Sequence, residues 1–95
     1  MKIAMTIPTV SVRDQSRFWA KVDKTGTCWM WTASCRGGGY GQFYLAGEIL
    51  PAHRVSYAIE NGSLSAFLSI DHLCRNPRCV RPDHLEAVTL RENIL

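Results

Sequence analysis

Cys74, Cys79 and His84 fall five residues apart in the stretch IDHLCRNPRCVRPDHLEAVTLREN, residues 70–93. This spacing constrains the fold more tightly than anything else in the 95-residue chain. A chain of that length makes one domain and buries proportionally little apolar surface, so a metal or disulfide often supplements its core. Three side chains of thiolate and imidazole type on one loop can converge on a single ion, and zinc takes four such ligands in a tetrahedron. The fourth must come from elsewhere, from Cys28 or Cys35. Cys28 is preferred because it opens CWMWT, which alternates as a strand does, whereas Cys35 lies beside three glycines.

That reading depends on compartment. The N-terminus, MKIAMTIPTVSVRD, has neither a long apolar stretch nor a small-residue cleavage site, so no secretory signal is expected and a cytoplasmic location follows. No apolar run approaches the roughly 20 residues that span a bilayer. In a reducing compartment four cysteines read as metal ligands; in a secreted chain they would read as two disulfides. Composition, at 46% hydrophobic and 20% charged residues, is that of a globular domain. The net charge of +3 is compatible with nucleic acid without implying it. Distribution says more, because Arg75, Arg78, Arg81 and Arg91 all lie in the cysteine-bearing segment.

Residues 1–13 lack periodicity and read as a loose N-terminal arm; a single domain is expected over 14–95. Asp14 is a fair N-cap for a short helix through Val22, with Phe18 and Val22 on one face. RGGG at 36–39 is a loop, and YGQFYLAGEIL a hairpin turning near Gly47. Pro51 suits the first turn of a helix running to Glu60, which Asn61-Gly62 ends. FLSI is a buried strand delivering Asp71 and His72 at its end. A second strand is expected around Glu86 to Val88. Thr89 and Glu92 then form a capping box that starts a helix carrying Asn93. The expected class is a small α+β domain.

Asp71 and His72 are adjacent, and neighbours on a flat strand face opposite ways. They can serve one site only where the strand ends and the backbone turns. An imidazole can take a proton from water near neutral pH, and a carboxylate beside it is a hard ligand for Mg2+. Alone, such a pair is more often structural than catalytic.

The pattern CWMWT…GYGQF…AHRVSY…IDHLCRNPRCVRPDHLEAVTLREN resembles the HNH endonucleases of the ββα-metal fold, and within them small phage-type and homing-type members with a cysteine-rich insertion. The resemblance runs over residues 17–95. It implies a DNA endonuclease, nicking or cutting both strands, in a bacterial cell or phage-infected host. His72 would be the general base, and Asp71 and Asn93 the ligands of a catalytic Mg2+ or Mn2+. The motif's middle Asn is replaced by His84, which leaves two roles: bracing the loop around His72, or completing a structural Zn2+ site with Cys28, Cys74 and Cys79. The second is favoured, because a change from Asn to His makes sense where a soft metal is gained. Asn76 reads as a turn residue. His53 or Arg54, in AHRVSY, would contact a phosphate. Arg54, Arg75, Arg78 and Arg81 are the expected DNA-backbone contacts, in a monomer or homodimer. The competing reading is a zinc-stapled DNA-binding module without catalysis, which would have no need of Asp71, His72 and Asn93 together.

Overall fold

The computed structural model of the chain describes residues 7, 9–65 and 67–89. The chain order is helix α1 (Val12–Trp19), strands β1 (Val22–Asp23), β2 (Met30–Trp31), β3 (Gln42–Leu45) and β4 (Glu48–Pro51), helix α2 (Ala52–Asn61), and strands β5 (Leu68–His72) and β6 (Leu85–Thr89). The strands pair as three antiparallel ladders, β1 with β2, β3 with β4, and β5 with β6. This is the small mixed α+β class expected.

Helix α1 begins at Val12, ahead of the expected cap. Ser11 takes that role: its hydroxyl accepts the Asp14 amide at 3.1 Å and donates to the Asp14 carboxylate, also at 3.1 Å. Asp14 therefore sits inside the first turn, where a negative charge suits the helix dipole and reaches Arg17 at 3.3 Å. The helix stops at Trp19, and Val22 opens β1 instead of extending α1. The expected loose arm also shortens. Ile7 bridges Leu64 through two backbone hydrogen bonds, and Ile7 and Val10 are buried in the core.

An aromatic trio holds the N-terminal half together. Phe18 of α1 lies 4.9 Å from Trp31 of β2 and 5.2 Å from Phe43 of β3, centroid to centroid, and all three rings are buried. Trp31 demands a glycine opposite it: a Cβ on Gly41 would sit 2.4 Å from the indole ring. The β3–β4 hairpin turns at Ala46-Gly47, both with positive φ (50° and 83°), the signature of a tight two-residue connection.

Helix α2 is the platform on which the second half rests. It runs from its Pro51 cap to Gly62, whose φ of 90° provides the left-handed stop. Val55, Ser56 and Ala58 are buried beneath it. Arg54 is buried too, and its guanidinium donates to the carbonyls of Leu68 at 2.6 Å and Ser65 at 3.3 Å, pinning the entry to β5. On the β5–β6 ladder Ile70 faces Ala87, Asp71 faces Glu86 and His72 faces Leu85. Thr89 pairs with Leu68 as the last described rung. The helix expected beyond it, with Arg91 and Asn93, lies outside the described residues. Among the described residues no helix is long and apolar enough to cross a membrane.

Candidate metal centre and adjoining pocket

The segment between β5 and β6 does not hang free. The Arg75 amide reaches back to the His72 carbonyl at 3.1 Å, a tight turn in which Arg75 itself takes φ 62°. Asn76 caps the next turn by accepting the Arg78 amide, as its residue type suggests. The chain then runs alongside β2. Trp31 N–H donates to Arg78, Val80 N–H donates to Trp29, and Cys79 bridges Met30. From below, the buried Ser56 hydroxyl of α2 donates to the Val80 carbonyl. A short 3-10 turn, Pro82–His84, follows, and its His84 carbonyl receives the Leu73 amide at 2.8 Å.

This path brings together donors from four places. Cys28 precedes β2, Cys74 lies in the turn after β5, Cys79 sits beside β2, and His84 closes the 3-10 turn. Their ligand atoms all lie within 4.8 Å of one another. His84 Nδ1 is 3.5 Å from Cys79 Sγ and 3.7 Å from Cys28 Sγ. A tetrahedral zinc site with Zn–S bonds of ~2.3 Å has ligand-to-ligand edges of ~3.5–3.8 Å, and these two separations match such edges. The donor set fits zinc. Burial pushes the Cys79 thiol up to about 11, opposed by hydrogen bonds at the backbone of Arg81 and Trp29. Three thiols packed this way gain nothing as neutral groups, whereas a bound cation ionises them and is held by them. His84, for which two roles were open, lies within this cluster with the three cysteines. Cys35, the alternative ligand, is exposed and bridges Gly41, outside the cluster.

On the other side of the same loop is an open pocket of about 540 Å³, lined by Tyr40, Asp71, His72, Arg75 and Pro77 among others. Asp71 and Tyr40 also border a neighbouring hollow of about 480 Å³, which reaches Arg36, His53 and Arg54. Asp71 and His72 thus reach one pocket although they are consecutive in β5, because His72 is the last strand residue and the chain turns at once. His72 Nε2 is buried and has no hydrogen-bond partner among the described residues. Burial holds His72 below its ordinary pKa, while a hydrogen bond at the Cys79 backbone and the Asp71 carboxylate pull it upward. The metal-centre loop therefore touches the imidazole directly.

The remaining expected site residues are placed as follows. Arg75 is exposed on the pocket wall. Arg78 donates to the Trp31 carbonyl at 2.8 Å, and Arg81 to Asp83 at 2.7 Å and the Thr27 carbonyl at 2.8 Å. Arg54 is buried as described. Asn93 lies outside the described residues. Arg36 and Tyr40, which also line these hollows, come from the glycine loop far upstream; Tyr40 lies in the GYGQF stretch, yet neither is among the expected site residues.

Residues 50–95 match the family described as HNH endonuclease. Among curated proteins, the chain is 36% identical over 75 residues to "Protein 2.8" of Escherichia phage T7, covering 77% of this chain and 50% of that protein. It is 32% identical over 66 residues to "Protein 7.7" of the same phage, covering 70% of this chain and 51% of that protein. The chain spans about half the length of the curated relatives it matches. No solved structure matches it. The segment 50–95, which carries Asp71, His72 and three of the four clustered metal-type ligands, is the part of the chain that matches the HNH endonuclease family.

Proposed function

We propose that the chain hydrolyses DNA phosphodiester bonds, with His72 as general base. The observation that carries this reading is the bare, buried Nε2 of His72 beside Asp71 at the pocket wall, inside the matched segment. A neutral imidazole with one nitrogen engaged and the other free is poised to remove a proton from water. The depressed pKa of His72 keeps it in that form at neutral pH.

Asp71 and Asn93 would hold a divalent ion, Mg2+ or Mn2+, consistent with the hard oxygen donor that Asp71 presents to the pocket. Such an ion supplies charge stabilisation at the phosphate and the departing 3′ oxygen. Zn2+ bound by Cys28, Cys74, Cys79 and His84 does no chemistry. It fixes the loop whose Cys79 backbone orients the base. Arg75, and with it Arg78 and Arg81, bind DNA phosphates, while Arg54 acts from beneath by holding β5. The 14–95 span works as one nuclease domain, as a monomer or homodimer in the infected bacterial cell.

The test is incubation of the zinc-loaded protein with supercoiled plasmid in Mg2+, Mn2+ or no added divalent ion. Conversion to open-circle or linear DNA only with the added ion is the expected result. A protein that binds plasmid but leaves it supercoiled under every condition is a zinc-stapled DNA-binding module, and the proposal is wrong.

A further inference from the structure

Two imidazoles meet at the pocket, and the hydrolysis just described uses one of them. His53 projects from the first turn of α2, and its ring centroid lies 4.7 Å from that of His72 with the planes 45° apart. The Tyr40 ring backs both, at 5.6 Å and 5.8 Å. His53 Nδ1, like His72 Nε2, is buried with no hydrogen-bond partner among the described residues. A buried polar atom without a partner needs an explanation. Two such atoms on neighbouring rings, one of them on the proposed base, can share one explanation: a single small polar species that binds both.

Resting on the reading of His72 as the base, we propose that His53 is a positioning residue whose Nδ1 holds the attacking water jointly with His72 Nε2. A neutral imidazole has one N–H and one bare nitrogen. The His72 imidazole is hydrogen-bonded at the Cys79 backbone, and its Nε2 has no partner among the described residues. With a bare nitrogen on each ring, the two acceptors fix both protons of one water and leave an oxygen lone pair for phosphorus. As the O–P bond forms, one water proton passes to His72 Nε2. The P–O3′ bond breaks, its electron pair leaves on O3′, and that oxygen is protonated from solvent. His53 takes no proton. Burial first, then the neighbouring His72 and Arg54, hold it down to about 3, so at neutral pH the ring stays uncharged and can present Nδ1 as an acceptor. A phosphate anion would need donors, so the pairing of two bare nitrogens favours water over the scissile phosphate as the shared guest.

The role is tested with His53→Leu, which keeps bulk without an acceptor, and His53→Asn, whose carboxamide oxygen falls near the position of Nδ1. Single-turnover plasmid cleavage and DNA affinity are read on each. His53→Leu should lower the cleavage rate about a hundredfold and leave affinity within about twofold, while His53→Asn retains at least about tenfold more rate than His53→Leu. A rate for His53→Leu within about threefold of wild type, or a loss of affinity that matches the loss of rate, overturns the proposal. If His53→Leu does not fold, His53→Gln replaces it, because its acceptor falls near Nε2 instead. His53→Asn must then cleave about tenfold faster than His53→Gln, and equal rates overturn the proposal. An unchanged His53→Leu beside an inactive His72→Ala removes only the water-holding role; a fully active His72→Ala removes the base as well.

Discussion

The sulfur cluster and the imidazole pocket lie on two sides of one loop and share its backbone, yet they are built on opposite principles. In the cluster the donors gather on one another: four ligand atoms lie within 4.8 Å, and a single cation could satisfy them all. At the pocket and its neighbouring hollow, by contrast, His53 Nδ1 and His72 Nε2 are buried with no hydrogen-bond partner among the described residues. The first arrangement stores stability. The second gives some up, as sites that must bind something else do. Cys79 joins them, with its thiol in the cluster and its backbone on His72. A domain of this design can stiffen the loop beside its pocket without filling that pocket with rigid apolar mass.

The comparison breaks most visibly if zinc is removed. Cys79→Ser, or chelation of wild-type protein, should abolish bound zinc and the cooperative unfolding transition, because binding energy of a structural zinc is folding energy. A Cys79→Ser protein that melts as sharply as wild type, with zinc absent from both by elemental analysis, would dissolve the distinction. Gly41→Ala should come next. Its Cβ would fall 2.4 Å from the Trp31 ring, so an overpacking cost of roughly 1–3 kcal/mol is expected, read as a lowered melting temperature with zinc content unchanged.

Acid sharpens the contrast from the pocket side. His53 is held neutral in the fold at about 3, below its unfolded value of 6.5. Its contribution is therefore complete above pH 6.5 and lost progressively as pH falls toward 3. Between pH 6.5 and 5, wild type should lose more stability than His53→Gln by an amount approaching ~1.4 kcal/mol per pH unit, measured by denaturant melts. Parallel losses in the two proteins would show that His53 is not buried as described. The smallest effect belongs to the rim. Arg75→Ala should weaken DNA binding several-fold and reduce the log–log salt slope by about 0.9 per lost phosphate contact. Arg81→Ala, whose guanidinium is already held by Asp83 and the Thr27 carbonyl, should change the slope less.

Much of this was legible in the sequence because the signals were local. The equal spacing of Cys74, Cys79 and His84 announced a metal loop, and the turn residues at Gly47 and Gly62 set the hairpin and the end of α2. The position of Cys28 at the head of a strand was enough to choose it over Cys35. Other features depend on packing across the chain. Ser11 outcompeted Asp14 as the cap of α1 through a reciprocal pair of side-chain and backbone hydrogen bonds. Ile7 joined the core by pairing with Leu64, which no periodicity in a short arm could reveal. In the sequence His53 and Arg54 read as candidate phosphate contacts, with Arg54 among the DNA-backbone cations. One is packed on the proposed base, and the other is a buried strut beneath it. Tyr40 and Arg36 line the hollows from a loop distant in sequence, which no local pattern reveals.

The central claim, that one cluster holds the loop while the pocket does the chemistry, is tested most directly by His72→Ala measured for three properties on one preparation. The account predicts wild-type zinc stoichiometry, a melting temperature within about 5 °C of wild type, and plasmid cleavage in Mg2+ reduced by 10²–10⁴-fold or more. His72→Ala that cleaves plasmid at the wild-type rate, or that loses its zinc and its fold together with its activity, would contradict it.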